Sequence, residues 1–442
     1  MNYEEFFKGK KITLLGLGLL GRGVGDAEFL AQMGAAVLVT DKKTEQQLEE
    51  SVKKLKKYPS ISFFLGGHRM EDFTMCDMVI KAAGVSLLSP EIQAAREAGV
   101  PVYMSTALFA KFAGGTGATI VGVTGTRGKS TVTNMIYHSL KNASKTALLG
   151  GNVRGVSTLA LLPQVKKDTI CVLELDSWQL QGFGDLQISP HVAVFTNLKL
   201  DHLNYYPDMQ TYFDDKVNIC KFQKQGDVLI VGQQVHDMWI RDAHPPISPV
   251  VPEKFSGELK LIGEHNRENA SLAAEALRAI GLSAEEIDAG ITSFEAVEGR
   301  LQLVRKVNGV KIYNDNNATT PDATIVALAA LATEDHSGKI VLIMGGADKR
   351  LDMEMLVKVI NEKSYISAIV LLPGTGTDKI ASSLESNSFQ ARSMNEAVQM
   401  AFNYAKSIQG VVLFSPAFAS FGLFKNEYDR NDQFVAAVRA IA

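Results

Sequence analysis

Short apolar runs alternate with longer amphipathic stretches along the whole chain, and this alternation restricts the fold more than any other feature. It predicts buried parallel strands connected by helices, as in α/β layers. The runs KITLLGLG at 11–18 and AAVLVTD at 35–41 predict the first two strands of a Rossmann-type unit. DMVIKA at 77–82 and VPVYMS at 100–105 continue the predicted sheet.

A glycine-rich joint, AGGTGAT at 113–119, marks a domain boundary. A second boundary is expected near Val297, because the stretch at 295–315 changes from a helical to an alternating pattern. A chain of 442 residues is also too long for one ordinary core. We therefore expect three α/β domains, at 1–114, 115–297 and 298–442. Further predicted strands are TIVGVTG, TICVLELD, HVAVFTNL, DVLIVG, KIVLIMGG, SAIVLL and VVLFSPA.

The composition excludes several classes of protein. The net charge of −3 gives no electrostatic reason to expect nucleic acid or an anionic membrane as a partner. Cys76, Cys171 and Cys220 form no CxxC pair, so neither a disulfide framework nor a cysteine zinc site is expected. The start MNYEEFFKGKK lacks the apolar core of a signal peptide, and no run of about 18 apolar residues occurs. We expect a cytoplasmic monomer.

The stretch GVTGTRGKST at 122–131 connects a predicted strand to a predicted helix. Its glycines let backbone N–H groups approach phosphate oxygens, its lysine can reach the outer phosphates, and a hydroxyl can meet a magnesium ion. The match to the strict P-loop is imperfect, because Val123 stands where that motif has glycine. An ordinary turn with an exposed lysine is the alternative. The candidate nucleotide ligands are Gly125, Thr126, Gly128, Lys129, Ser130 and Thr131.

A second glycine motif, GxGxxG, lies at the start of the chain and comprises Gly16, Gly18 and Gly21. Asp41 closes the next predicted strand, 20 residues after Gly21. In the dinucleotide fingerprint such an acid meets a ribose and the loop holds a diphosphate. NAD is therefore one possible ligand, although any diphosphate nucleotide can use the same amides.

Polar side chains follow several other predicted strands. Glu174 ends one strand, and Asp201, His202 and Lys216 follow another, where carboxylates and histidine are natural metal ligands. A solvated strand end and a structural histidine are the alternatives.

Asn266 and Asn269 share one face of a predicted helix, where their amides can read an adenine edge; capping of that helix by Asn266 is the alternative. The last domain places polar side chains after its own strands, at Asp315, Thr319, Lys349 and Ser420. Any one of these can be a cap or a turn. Together with a phosphate loop, they indicate one site between domains.

Seven stretches, taken together and in order, resemble the Mur ligase family: TGTRGKST, ELDSWQL, TNLKLDHL, GEHNRENASLAA, YNDNNATTPDAT, GGADKRLD and LFSPAFASFGLFKN. The resemblance covers nearly the whole chain. It implies a Rossmann-like domain that binds a UDP-linked substrate, a central P-loop ATPase-like domain and a C-terminal Rossmann-like domain. It also implies an ATP-dependent ligase that adds D-glutamate to UDP-N-acetylmuramoyl-L-alanine in peptidoglycan precursor synthesis, with two Mg²⁺ ions.

The resemblance also implies roles for individual residues. Around the UDP substrate it places Leu19, Leu20, Asp41, Lys42, Asn152 and Ser177. Beside the phosphate loop, ATP would meet Asn266, Asn269, Arg300 and Asp315. The glutamate would meet Thr319, Lys349, Ser420 and Phe421. The implied magnesium ligands are Ser130, Glu174, His202 and Lys216, and the implied catalytic residues are Lys129, Glu174, His202 and Lys216.

Some positions depart from the family pattern and change the edges of the substrate pockets. The family has Asn, Ser and His where this chain has Arg127, Asp176 and Gly299. Where the family has Asp-Ser-Lys, this chain has Asp315, Asn316 and Asn317. The family's Gly-Asn-Ile-Gly ends here in Arg154 instead of glycine. An Asp and a Phe that the family carries near the FKN sequence are Gly422 and Glu427 here. The phosphate and metal positions are retained.

Lys216 poses an electrostatic problem if it lies beside magnesium. An ammonium about 4 Å from Mg²⁺ would be repelled by roughly 8 kcal/mol at an effective dielectric constant of about 20. The resemblance implies that this lysine is carbamylated, which turns the cation into an anion that binds metal. A solvated lysine on an ordinary helix is the alternative.

Four other functions remain open from the sequence. Another Mur-type ligase is the nearest, and folylpolyglutamate synthase shares the ATP core but lacks the UDP-binding start. An NAD-dependent dehydrogenase would use Gly16 to Gly21 and leaves the 122–131 loop unexplained. A nucleotide sensor would bind ATP without turnover.

Overall fold

The computed structural model describes residues 2–18, 21–201, 205–242, 245–333, 339–385 and 387–441, with backbone alone at 240–242. The chain folds into two compact units. The first unit comprises Met1–Ser256 and Glu268–Ile291, and the second comprises Gly257–Arg267 and Thr292–Ala442. The described residues form three β-sheets, each flanked by helices. No helix within the described ranges is long and apolar enough to cross a membrane.

The first sheet belongs to the first unit, and all its neighbouring strands are parallel, in the order β3-β2-β1-β4-β5. The strands are β1 Lys11–Leu15, β2 Ala36–Asp41, β3 Ile61–Leu65, β4 Met78–Lys81 and β5 Val102–Tyr103. The helices are α1 Tyr3–Phe7, α2 Arg22–Gln32, α3 Glu49–Leu55, α4 Glu71–Thr74, α5 Pro90–Glu97 and α6 Ser105–Gly115. Strand order reverses at β1, so the glycine-rich turn after β1 lies at the position where parallel sheets bind ligands.

The second sheet, also in the first unit, is parallel throughout, in the order β10-β9-β6-β8-β7. Its strands are β6 Thr119–Thr124, β7 Ala147–Gly151, β8 Ile170–Glu174, β9 Val192–Phe195 and β10 Val228–Val231. The helices along this part of the chain are α7 Lys129–Asn142, α8 Ser177–Leu186, α9 Met209–Val217, α10 Gln233–Asp242, α11 Glu264–Ala279 and α12 Ala284–Ser293. The central strand, β6, leads directly into the 122–131 loop.

The third sheet belongs to the second unit and has the order β11-β12-β16-β13-β14-β15. Its strands are β11 Gln302–Val307, β12 Val310–Asn314, β13 Ile340–Gly345, β14 Ile366–Leu372, β15 Ser388–Gln390 and β16 Val411–Phe414. Its helices are α13 Pro321–Thr333, α14 Glu354–Glu362, α15 Thr375–Ile380, α16 Met394–Ile408 and α17 Glu427–Arg439. Only the β11 pairing is antiparallel among the described strands, and a bulge interrupts its register between Leu303 and Arg305. At the other edge, β15 has three residues, all exposed.

The central strands form where the sequence is apolar without alternation, since both faces of a parallel sheet are covered by helices. Every residue of β8, β13 and β16 is buried. Several helices begin at polar caps: Asp208 accepts a hydrogen bond from the Thr211 N–H, and Ser393 accepts one from the Glu396 N–H.

Candidate functional site

The loop between β6 and α7 requires glycine at two positions. Gly125 has φ +140° and Gly128 has φ +83°. A Cβ atom at Gly125 would collide with the Thr196 hydroxyl oxygen, and one at Gly128 would collide with the Asn269 amide oxygen. The loop therefore follows a path that only glycine permits, and Asn269 lies against it.

Neighbouring backbone and side chains hold this loop in place. The Thr126 N–H donates to the Asn197 carbonyl at 2.8 Å, and the Arg127 N–H donates to the Asn197 side-chain oxygen at 2.9 Å. The Thr126 hydroxyl accepts from the Lys199 N–H at 2.9 Å, so its oxygen is used within the protein. Arg127, one of the departures from the family pattern, pairs with Asp201 at 3.1 Å. The motif TNLKLDHL contained Asn197, but nothing in its spacing pointed to this anchoring role.

Two lysines converge on one carbonyl oxygen of the loop. The Lys129 ammonium donates to the Gly125 oxygen at 3.0 Å and to the Thr126 oxygen at 3.1 Å. The Lys216 ammonium, on α9, donates to the same Gly125 oxygen at 3.0 Å. Burial lowers the pKa of Lys216 well below its ordinary value, and the charge of Lys129 lowers it further. The solvated lysine considered from the sequence is therefore wrong, because Lys216 is 1% exposed.

Glu174 ends β8 beside the loop strand, in register with Val123 of β6. Glu174 is 4% exposed, and its carboxylate accepts a hydrogen bond from the Asn152 amide at 3.3 Å. The solvated strand end considered from the sequence is therefore wrong for Glu174. No ion pair joins Glu174 to a lysine or arginine of the described chain.

Such a buried carboxylate fits a cation that takes its other oxygen ligands from phosphates and water. Within the described ranges, no group of three or more His, Cys, Asp and Glu side chains is placed to hold a metal. His202 lies outside the described residues. Ser130 and Thr131 open helix α7, Ser130 partly exposed and Thr131 buried.

The turn after β1 carries the first glycine motif, with Gly16, Gly18 and Gly21 all at positive φ. Asp41 is buried, and its carboxylate accepts from the N–H groups of Leu17 at 3.0 Å, Gly18 at 3.2 Å and Lys43 at 2.9 Å. Its carboxylate thus shapes the glycine turn directly. Lys42 is exposed, and Leu19 and Leu20 lie outside the described residues.

The departure at Asp176 has a local structural explanation. Asp176 is the N-cap of α8 and accepts from the Gln179 N–H at 2.7 Å, while the Gln179 side chain accepts from the Asp176 N–H at 3.2 Å. This reciprocal pair is a capping box, and it begins the helix at the buried residue Ser177.

In the second unit, three loops that carry the predicted amino-acid ligands are bonded to one another. The Ala417 N–H donates to the Ala318 carbonyl at 2.9 Å, and Ala347 and Ala419 exchange two backbone hydrogen bonds. Lys349 donates to the Thr319 hydroxyl at 3.3 Å, so this predicted pair is brought together. Ser420 is buried, whereas Phe421 is 63% exposed.

Asp315, one of the predicted nucleotide ligands in the second unit, is held by hydrogen bonds to its carboxylate. The Asp315 carboxylate accepts from the Leu301 N–H at 3.1 Å and from the Ser415 hydroxyl at 3.0 Å. Arg300 precedes Leu301 and is partly exposed. Gly299 and Asn317, two positions that depart from the family pattern, are neighbours: a Cβ at Gly299 would lie 3.0 Å from the Asn317 amide nitrogen.

Asn266 and Asn269 both lie on α11, as predicted. The Asn266 amide donates to the Ile262 carbonyl at 2.8 Å, one turn earlier in the same unit. That bond uses the amide for local structure at the start of the helix.

Arg430 is a buried residue that the sequence did not point to. Its guanidinium donates to the Asn316 side-chain oxygen at 2.8 Å, to the Asn316 carbonyl at 2.8 Å and to the Phe418 carbonyl at 2.9 Å. Burial lowers the pKa of Arg430 to about 10. One guanidinium thus ties together the loops that contain Thr319 and Ser420.

Family models match all three parts of the chain. They are the Mur ligase MurD-like N-terminal domain at 10–104, the Mur ligase middle domain at 123–252 and the Mur ligase glutamate ligase domain at 299–418. The chain therefore belongs to the Mur ligase family, and the predicted family and three-domain α/β fold are confirmed.

Curated relatives narrow the comparison within that family. The UDP-N-acetylmuramoylalanine--D-glutamate ligase of Roseiflexus sp. (strain RS-1) is 34% identical, over 96% of this chain and 97% of the relative. The protein of that name from Borreliella afzelii (strain PKo) is 32% identical, over 98% of each chain.

Solved structures show the same fold at lower identity. The UDP-N-acetylmuramate-alanine ligase MurC of Thermotoga maritima aligns with a TM-score of 0.63 at 18% identity, covering 98% of this chain and 99% of that chain. The MurF ligase of Thermotoga maritima in complex with ADP aligns with a TM-score of 0.59 at 16% identity, covering 91% and 94%.

Proposed function

We propose that this protein is an ATP-dependent ligase that adds D-glutamate to UDP-N-acetylmuramoyl-L-alanine in peptidoglycan precursor synthesis. One structural observation carries the proposal: Lys129 and Lys216 meet at the Gly125 carbonyl of a glycine-dependent phosphate loop. The relatives of that name, aligned over nearly the whole chain, support the choice of substrates. The dehydrogenase alternative is not favoured, since it gives the phosphate loop no role.

The reaction joins a carboxylate to an amine through an activated acid. A carboxylate oxygen of the UDP substrate attacks the γ-phosphorus of ATP, the bond to the ADP oxygen breaks, and an acyl phosphate forms. The amine of D-glutamate then attacks the acyl carbon, phosphate leaves, and the amine proton passes to solvent. Lys129 and the loop N–H groups stabilise the charge that spreads over the phosphoryl oxygens.

Magnesium would be held by Ser130 and Glu174 at one position, and by His202 and Lys216 at a second. When bound, the ions neutralise phosphate charge and polarise the phosphoryl oxygens. Glu174 supplies a buried anion for this purpose, and the Asn152 amide orients it.

Lys216 would serve as a carbamate. Its neutral amine attacks carbon dioxide, an N–C bond forms, and the lost proton goes to water. The buried position and the nearby Lys129 favour the neutral amine that this step needs. The product, a carbamate on Lys216, is an anion. It replaces an ammonium whose positive charge would be disfavoured beside that of Lys129.

The remaining substrate contacts follow the loops described above. The glycine turn with Leu19, Leu20, Asp41 and Lys42 would bind the UDP group, with Asn152 and Ser177 nearer the muramoyl end. Asn266, Asn269, Arg300 and Asp315 would contact the nucleotide. Thr319, Lys349, Ser420 and Phe421 would bind the glutamate carboxylates. We propose that the protein acts in the cytoplasm as a monomer.

Phosphate release tests the proposal, with UDP-N-acetylmuramoyl-L-alanine, ATP and Mg²⁺ present and amino acids supplied one at a time. We expect release with D-glutamate and none with L-glutamate. Lys129→Met should abolish release, whereas Lys141→Met, an exposed lysine on the same helix, should not.

Other results of this assay point to other functions. Release with a different amino acid would identify another Mur-type ligase. ATP binding without release for any amino acid would indicate a nucleotide sensor.

A further inference from the structure

Arg22 links the glycine turn of the first sheet to the second sheet. It is the first residue of α2, directly after Gly21, and its guanidinium donates to the Asn152 side-chain oxygen at 2.9 Å. Helix α2 lies close to the segment that follows β7 here: a Cβ at Gly25 would lie 2.6 Å from the Ser157 Cβ.

The contact continues from Asn152 to Glu174. The Asn152 amide nitrogen donates to a Glu174 carboxylate oxygen at 3.3 Å, and the Asn152 N–H donates to the Glu174 carbonyl at 2.8 Å. An asparagine amide has one accepting end and one donating end. Arginine can only donate, so Arg22 fixes the accepting end toward itself and turns the donating end toward Glu174.

We propose that Arg22 is a positioning residue that sets Glu174 for the magnesium–nucleotide complex through Asn152. The inference rests on the proposed function, because it takes Glu174 as a metal ligand. Without Arg22 the Asn152 amide is free to rotate, and Glu174 loses its fixed donor. Residues behind metal ligands typically change metal affinity by about 10–100-fold when removed.

Mn²⁺ binding, measured by electron paramagnetic resonance with a non-hydrolysable ATP analogue, tests the proposal on the full chain. Arg22→Met should weaken Mn²⁺ binding about tenfold. Arg22→Lys, which keeps a donor, should recover most of the affinity. Arg96→Met is the matched control: Arg96 of α5 pairs with Asp185 of α8 at 3.5 Å and likewise joins the first sheet's helices to the second sheet's.

A double-mutant cycle separates positioning from general destabilisation. In an Asn152→Ala background, Arg22→Met should cause no further loss of Mn²⁺ affinity. Equal Mn²⁺ affinity in Arg22→Met and Arg96→Met would overturn the proposal, as would a full additional loss in the Asn152→Ala background. A loss explained by the unfolded fraction, measured by circular dichroism, would overturn it as well.

This measurement contains no amino acid and no UDP substrate, so its outcome does not depend on which reaction the protein catalyses. Failure of the proposed function would appear instead as wild-type protein that releases no phosphate with D-glutamate.

Discussion

At the scale of single residues, two lysines are buried where desolvation disfavours a positive charge. Lys216 shares the Gly125 oxygen with Lys129. Lys81 ends β4, is 2% exposed and donates to the Val85 carbonyl at 3.0 Å. Burial lowers the pKa of Lys81 to about 8 from 10.5. The two lysines give different predictions, one about activity and one about stability.

Lys216→Ala should lower activity by about 10²–10³-fold, because an anion that stabilises charge at the phosphates is lost. Added formate, acetate or propionate should restore part of the activity by supplying a carboxylate in the vacated space. Phosphate release measures both effects. Lys221→Ala, an exposed lysine soon after the same helix, should retain activity. Absence of any rescue, in a variant with native circular dichroism, would contradict the carbamate.

Lys81 should make stability depend on pH. Between about pH 8 and 10.5, the unfolded chain binds a proton at Lys81 that the folded chain does not, so the free energy of unfolding rises with pH. From about pH 7 to about pH 10, wild type should gain roughly 2 kcal/mol relative to Lys81→Met in urea unfolding. Lys54→Met, at an exposed position on α3, should show no such difference from wild type.

At the scale of elements, the phosphate loop depends on its backbone path. Gly128→Ala combines an unfavourable positive φ with a collision against Asn269. Calorimetry should show a loss of ATP-analogue affinity of at least about tenfold, comparable to one lost hydrogen bond to a charged group.

Gly226→Ala is the control for Gly128→Ala, because Gly226 has φ +98° but open space around its Cβ position. Both variants should lose about 1–2 kcal/mol of stability from backbone strain. Only Gly128→Ala should lose nucleotide affinity. Unchanged affinity in that variant would show that the loop tolerates a side chain.

Strands buried on both faces, such as β6, β13 and β16, were predicted from the sequence, because continuous apolar runs specify them. Three strands lacked that signal. β3 is buried only at its first residue, Ile61, β7 ends in two glycines, and β15 is three exposed residues long. Pairing with a neighbouring strand forms them, and a single sequence does not display that pairing.

The candidate site also contains residues that the sequence could predict and residues that it could not. Glycine and lysine positions of the phosphate loop were predictable, since backbone approach and charge restrict the residue type. Arg22 and Arg430 were not, because their partners, Asn152 and Asn316, are more than a hundred residues away. The domain boundaries at 114 and 297 stay predictions.

At the scale of the whole molecule, the predicted ligands for nucleotide and amino acid fall largely in different compact units. Lys129 belongs to the first unit, and Lys349 and Thr319 belong to the second. Lys349→Met should raise the KM for D-glutamate about 10–100-fold, the effect of losing a charged hydrogen bond, while leaving ATP-analogue affinity unchanged. Lys129→Met should instead lose affinity for the ATP analogue, measured by calorimetric titration. A parallel loss of analogue affinity in Lys349→Met would contradict this division of roles.

The third sheet ends in two edges of unusual form, the bulged β11 with Arg305 and Lys306, and the short β15. Unpaired N–H and C=O groups on a long, flat edge can recruit a strand from another molecule. The bulge and the exposed Lys306 interrupt such an edge at β11, and three residues are too few to form one at β15. These two edges are therefore poor templates for pairing with a strand of a second copy of the chain.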